Sequence, residues 1–132
     1  MLKSKKKFRR QGLIEIQLME KLREGDPHNR NHCITILNRG EFRGHLFIIT
    51  NMLSCDLYAL LAEGDLQGLN CQKVVKITYQ CLMALDYAEA CHIIHADIKP
   101  ENILLETHDG DDIQVIDWGS GAFSGKTLYS YI

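Results

Sequence analysis

The chain has 132 residues, 45% of them hydrophobic, which bounds it to about one ordinary domain with a core of its own. Its net charge of −2 hides an asymmetry: residues 1–10 hold six of the fifteen basic residues and no acid, so the body carries nine basic against 17 acidic residues. An acidic body argues against a nucleic-acid-binding domain, and no apolar run approaches the ~18 residues of a membrane span.

The basic start, Lys3 to Arg10, reads either as a nuclear-localisation-like patch or, more simply, as a solvated lead-in to a helix. Glu15 and Gln17 interrupt the apolar stretch that follows, so it does not read as a signal peptide. Residues 11 to 24 are expected to be helical. Apolar residues recur at 13, 14, 16, 18, 19 and 22, and Gly25-Asp26-Pro27 stops the pattern. Glu15 shares a face with Met19 and Leu22, so its carboxylate either snorkels outward or meets a buried cation.

Two β-like runs follow, His32–Leu37 and His45–Asn51, separated by Asn38-Arg39-Gly40 and more polar residues. They predict an antiparallel pair. Leu57–Ala62 predicts a short helix with Asp56 or Ser54 as its N-cap, and Gly64 to Gly68 a loop. The clearest helix spans residues 70–91. Val74, Ile77, Cys81, Leu85 and Ala88 repeat at intervals of three and four, and Asn70 can cap it. Ile93-Ile94 predicts a very short strand. Ile103–Leu105 and Ile113–Ile116 predict two strands around a polar hairpin, and the tail from Gly119 reads as a loop.

Five cysteines (Cys33, Cys55, Cys71, Cys81, Cys91) form no C-x-x-C pair and are odd in number, which reads as reduced thiols in an intracellular protein, cytoplasmic or nuclear. Cys91, His92 and His95 lie close together but lack a second ligand pair at zinc spacing.

The chemistry concentrates in His95-Ala96-Asp97-Ile98-Lys99-Pro100-Glu101-Asn102, followed by Asp117-Trp118-Gly119. Asp97 is a candidate base that orients a hydroxyl. Lys99 is a cation that offsets phosphoryl charge. Asn102 and Asp117 offer hard oxygens suited to Mg²⁺. A strand–loop–hairpin–loop order places both loops at one edge of the hairpin, so distant residues can converge. A metal-dependent hydrolase using Asp97 and Asp117 would leave Lys99 and Asn102 unexplained.

The eight-residue run matches the protein-kinase catalytic loop H-R-D-L-x-x-x-N except at Ala96 and Ile98. The chain resembles the eukaryotic protein kinases of the CMGC group, most nearly the dual-specificity tyrosine-regulated kinases. Arg10-Gln11, Ile14-Glu15-Ile16, Leu53-Ser54, Leu57-Tyr58, His95-Ala96-Asp97, Ile116-Asp117-Trp118-Gly119-Ser120 and Tyr129-Ser130-Tyr131 carry that resemblance. It implies an α+β, protein-kinase-like fold, present in part. Residues 1–50 would be the rest of the N-lobe from helix C, 51–53 the hinge, and 54–132 the first part of the C-lobe with helices D and E, the catalytic loop and the start of the activation segment.

The resemblance also implies site roles. Asp97 and Lys99 would be catalytic, and Asn102 and Asp117 would hold Mg²⁺. Glu15, Thr50, Asn51, Leu53 and Leu104 would form the ATP site, with Glu15 paired to a strand-three lysine, Thr50 as gatekeeper and Leu104 beneath the adenine. Tyr131, and less so Tyr129, would be autophosphorylated. The implied activity is ATP- and Mg²⁺-dependent phosphorylation of Ser or Thr on a protein substrate, without nucleic-acid or membrane partners.

Three departures matter. Ala96 replaces the Arg that pairs with an activation-loop phosphate, so a phosphate switch of that type is not expected. Trp118 replaces Phe, and its indole N–H needs a partner if buried. No G-x-G-x-x-G and no V-A-x-K precede Glu15. The chain is therefore expected to cover roughly half of the catalytic domain and to expose surfaces that the remainder would cover. The alternative expectation is a catalytically inactive, kinase-like interaction module.

Overall fold

The computed structural model describes residues 2–125. Helix α1 spans Leu2–Gly25, so the basic lead-in is itself helical. Lys and Arg are good helix formers, and continuation of the amphipathic segment backwards needs no apolar stripe of its own. Ile16, Leu18, Met19 and Leu22 are buried, whereas Leu13 faces solvent. Asp26 ends the helix from a buried position: its carboxylate accepts from the backbone N–H groups of Arg30 (2.9 Å) and Asn31 (2.8 Å).

Strands β1 (Ile36–Phe42) and β2 (His45–Thr50) form the antiparallel pair. The first lies further along the chain than the expected His32–Leu37, and Asn38-Arg39-Gly40 belongs to it rather than to a turn. The turn is Arg43-Gly44, with φ of 50° and 79°. Two positive φ values match the twist of a tight hairpin, and Gly supplies the second without strain. Gly40 opposes Phe47, and a Cβ there would stand 2.5 Å from the Phe47 ring. The residues His32–Ile34 pair elsewhere. Val115 N–H donates to the His32 carbonyl (2.7 Å) and Ile34 N–H to the Val115 carbonyl (3.0 Å).

Helix α2 (Leu57–Glu63) is capped by Asp56, whose carboxylate accepts from Ala59 N–H at 2.8 Å. Helix α3 (Cys71–Ala90) is capped by Asn70, which accepts from Lys73 N–H at 2.9 Å. Its buried stripe is Ile77, Gln80, Ala84 and Ala88; Val74 faces solvent, and Cys81 and Leu85 are half-buried. The buried Gln80 amide ties the helix to the following hairpin, donating to the Asp111 carbonyl (2.7 Å) and accepting from Ile113 N–H (3.0 Å). On the opposite side Val75, Tyr79 and Leu82 are 60–68% exposed.

Strand β3 (Ile93–Ile94) pairs with β6 (Ala122–Phe123), and β4 (Ile103–Leu105) with β5 (Ile113–Val115), each antiparallel. The tail after Gly119 is thus not all loop: a 3₁₀ turn at Trp118–Ser120 leads into β6. Helix α3 lies against β3 and β5. Leu18, Leu105, Ile113, Val115 and Trp118 are the fully buried centre of the core. Each such large apolar side chain contributes about 1.5–3 kcal/mol on burial.

Candidate functional site

The site grows from one end of the β4–β5 hairpin. Ile103 pairs with Val115, so Asn102 and Ile116 leave the hairpin side by side, and Ile116 N–H donates to the Asn102 carbonyl at 2.9 Å. This bond brings the loop ending at Asn102 to the residue preceding Asp117.

Pro100 opens a 3₁₀ turn over Pro100–Asn102, where its fixed φ suits the first helical position. The turn delivers Asn102 to a buried position. Its Nδ2 donates to the Asp97 carbonyl (2.9 Å) and to the Asp97 carboxylate (3.2 Å). That leaves Oδ1 as the atom of the amide free to ligate. The Lys99 ammonium lies 3.2 Å from Asp97 Oδ2, with both side chains partly exposed. The structure therefore brings Asp97, Lys99 and Asn102 into one cluster, joined by the Asn102–Asp97 hydrogen bonds and the Lys99–Asp97 ion pair.

His95 holds this cluster from below. Asp97 N–H donates to Nδ1 at 3.1 Å, so Nδ1 is the acceptor and the ring proton sits on Nε2, which donates to the Ile116 carbonyl at 2.8 Å. Burial pushes the imidazole pKa below its ordinary value, against opposing pulls from the Ile116 carbonyl, Asp117 and Asp97. The ring stands edge-on to Trp118, with centroids 4.6 Å apart. Trp118 is fully buried and its indole N–H donates to the Val115 carbonyl at 3.3 Å, the partner that its burial requires. Both ring nitrogens of His95 are thus engaged within the fold.

Ala96 and Asp117 occupy left-handed backbone, with φ of 67° and 58°. Such conformations cost about 1 kcal/mol or more and collect at functional loops. The Asp117 carboxylate accepts from Gly119 N–H at 3.4 Å, and Gln11 of α1 donates to the Gly119 carbonyl at 2.9 Å. Helix α1 thereby fixes the loop that carries Asp117.

Above this loop lies a cleft of about 260 Å³. Thr50, Asn51, Leu53 and Leu104 line it, together with the carboxylate-bearing Glu15 and Asp117. The structure thus gathers all five expected ATP-site residues together with Asp117. Asp97, Lys99 and Asn102 lie outside this lining. Met19, Ile34, Ile48 and Ile116 complete the walls; sequence reasoning missed them because each sits in an ordinary apolar stripe. Tyr129 and Tyr131 lie outside the described residues.

Glu15 and Asp117 face one point from two elements. A Cβ on Gly119 would stand 3.2 Å from Glu15 Oε2 and 3.3 Å from Asp117 Oδ1. Burial, and then the Asp117 charge, pushes the Glu15 pKa up. Among the described residues no cation lies within ion-pair distance of Glu15.

Comparison with known proteins follows the same lines. The family model described as "Protein kinase domain" matches residues 1–130. The chain is 39% identical over 132 residues to the dual specificity tyrosine-phosphorylation-regulated kinase 3 of Homo sapiens, covering 100% of this chain and 22% of that protein. It is 37% identical over 131 residues to the serine/threonine-protein kinase ppk5 of Schizosaccharomyces pombe, and 36% identical over 131 residues to the DYRK-family kinase pom1 of the same organism. Both matches cover 99% of this chain, and 16% and 12% of the respective relatives. The chain therefore spans under a quarter of the length of these relatives. A catalytic-type loop hydrogen-bonded to the end of a hairpin, on a partial kinase-like α+β fold, agrees with these matches: the chain belongs to the protein kinase family and is similar to its dual-specificity tyrosine-regulated branch.

Proposed function

We propose that the chain carries catalytic elements of an ATP- and Mg²⁺-dependent protein kinase acting on Ser or Thr. The observation that carries this reading is the hydrogen bond from Ile116 to Asn102, which joins the Asp97–Lys99–Asn102 cluster to the Asp117 loop. The donor chemistry fits the groups the family implies. An amide oxygen at Asn102 and a carboxylate at Asp117 are hard ligands for Mg²⁺. Apolar walls from Ile34, Ile48 and Leu104 beside the 51–53 segment suit a nucleotide base. The cleft volume of about 260 Å³ lies just below that of small-molecule sites, roughly 300–1,000 Å³.

In this reading residues 1–50 are the N-lobe portion, 51–53 the hinge and 54–132 the C-lobe portion. Asp97 accepts a hydrogen bond from the substrate hydroxyl, and Asn102 and His95 fix its side chain and its backbone. Lys99 offsets charge on the transferred phosphoryl oxygens. Mg²⁺, when bound, neutralises charge on phosphate oxygens. Tyr131, and less so Tyr129, are the proposed autophosphorylation sites. The five free cysteines support an intracellular protein, cytoplasmic or nuclear.

A second reading, a non-catalytic interaction module, is favoured by one observation: Glu15 faces Asp117 with no cation between them among the described residues. Transfer of labelled γ-phosphate to a Ser/Thr peptide by the protein and by Asp97→Asn separates the two. The kinase reading expects transfer that falls by about 100-fold or more in the variant. Equal transfer refutes the role of Asp97, and nucleotide binding without transfer by either favours the module.

A further inference from the structure

We propose that Cys55, Glu63 and His108 form a zinc-binding site at the junction of α2 and the β4–β5 turn. The three residues come from separate segments. Cys55 lies just before the α2 cap, Glu63 is the last residue of α2, and His108 sits in the turn after β4. Their sulfur, oxygen and nitrogen ligand atoms all lie within 4.8 Å of one another. Around a tetrahedral zinc, with bonds of about 2.0–2.3 Å, such atoms stand roughly 3–4 Å apart. Closure therefore needs about 1 Å of side-chain movement, which rotamer adjustment of the exposed Glu63 and His108 supplies toward the half-buried Cys55.

The backbone already fixes these segments. Leu105 N–H donates to the Cys55 carbonyl at 2.9 Å, Asp56 bridges to Leu104, and Glu106 N–H closes the turn onto the Asp112 carbonyl at 2.9 Å. The donors are therefore brought together by the fold, before any metal binds. His108 Nε2 lies 2.8 Å from Glu63 Oε2, while Nδ1 faces Asp109 Oδ1 at 3.3 Å. Metal on Nε2 leaves the ring proton on Nδ1, held by the Asp109 carboxylate, and such a hydrogen bond orients zinc-bound histidines.

A surface ion pair between His108 and Glu63 accounts for two of the three residues and is worth little in energy. Cys55 packs against the edge of the core, and its thiol is the third donor at the same point. Thiolate, imidazole and carboxylate together suit zinc, whereas Mg²⁺ and Ca²⁺ prefer oxygen alone. Binding displaces the Cys55 thiol proton, takes the neutral His108 ring at Nε2 with its one proton on Nδ1, and leaves a fourth position for water. The bound ion would clasp the end of α2 to the hairpin that carries Leu104.

The test titrates the purified chain with Zn²⁺ against a competing chelator and with Co²⁺ as the spectroscopic probe. The site predicts one ion per chain and a thiolate-to-cobalt charge-transfer band. Cys55→Ser should abolish the band. Cys55→Ser and His108→Gln should each weaken Zn²⁺ by more than the roughly 10–100-fold that loss of a hydrogen-bond partner to a ligand costs, with circular dichroism unchanged. Cys71→Ser, at an exposed thiol elsewhere, should bind as the parent. Absence of stoichiometric Zn²⁺ binding, or parental affinity in Cys55→Ser and His108→Gln, overturns the proposal.

Discussion

Replacing His95 by Phe separates the hydrogen bonding of this residue from its packing. A Phe ring keeps the volume and the edge contact with Trp118 at 4.6 Å. It loses the bond to the Ile116 carbonyl (2.8 Å) and the bond from Asp97 N–H (3.1 Å). His95 is only 3% exposed, so water does not readily replace either partner. Each buried polar group left unpaired costs about 1–3 kcal/mol. The loss should be about 2–4 kcal/mol, a large part of the roughly 5–15 kcal/mol of an ordinary domain. Urea unfolding followed by the emission of Trp118, the one tryptophan of the chain, reads this directly. The same variant tests the protonation state. Burial holds the folded His95 pKa below its unfolded value, so the unfolded chain takes up the proton first as pH falls. The stabilisation is present above the ordinary histidine range and is lost as pH falls through the folded pKa. The gap between parent and variant should therefore narrow from about pH 7.5 to about pH 5.5. A stability loss under about 0.5 kcal/mol, or a gap independent of pH, would refute the reasoning.

Two further predictions test the surroundings. Glu15→Gln should raise the melting temperature at neutral pH by removing a half-buried charge that faces Asp117. The folded Glu15 pKa is raised, so its contribution is fully present below the unfolded carboxylate range and is lost as pH rises through the folded value. The advantage of Gln should accordingly vanish near about pH 4, and a lower melting temperature at both pH values would contradict the electrostatics. Gly121→Ala should destabilise by about 1–3 kcal/mol, because its Cβ would stand 2.7 Å from the Ile94 carbonyl and 3.0 Å from the Trp118 carbonyl, both backbone. Gly40→Ala should cost less than about 1 kcal/mol, since the Cβ meets only the partly exposed Phe47 ring, which can swing away. Equal denaturant shifts for the two would falsify that distinction.

Much of the site was legible because local chemistry encodes it. Asn70 and Asp56 cap their helices as their side chains predict. The β4–β5 hairpin forces Asn102 beside Ile116, and the string from His95 to Asn102 names its own neighbours. The first hairpin departs from expectation because Asn38-Arg39-Gly40 carries turn-type residues. They sit in a strand because each pairs across the hairpin, with Ile49, Ile48 and Phe47, and Gly40 makes room for the Phe47 ring. That pairing is set by the Arg43-Gly44 turn further on, so the turn-type residues themselves carry no signal of it. The same holds for the α3 stripe, where Gln80 is buried by its bonds to the Asp111–Ile113 segment rather than by hydrophobicity. Cys55, Glu63 and His108 share no recognisable spacing, and only the fold brings them together.

The central claim is that the Glu15–Asp117 cleft is a Mg²⁺-nucleotide site. ATP titrated by calorimetry with and without Mg²⁺, against the protein and Asp117→Asn, tests it most directly. The account predicts that Mg²⁺ tightens ATP binding to the parent and that Asp117→Asn loses this Mg²⁺ dependence while keeping Mg²⁺-free binding. Absence of ATP binding, or a Mg²⁺ effect that survives in Asp117→Asn, would contradict it.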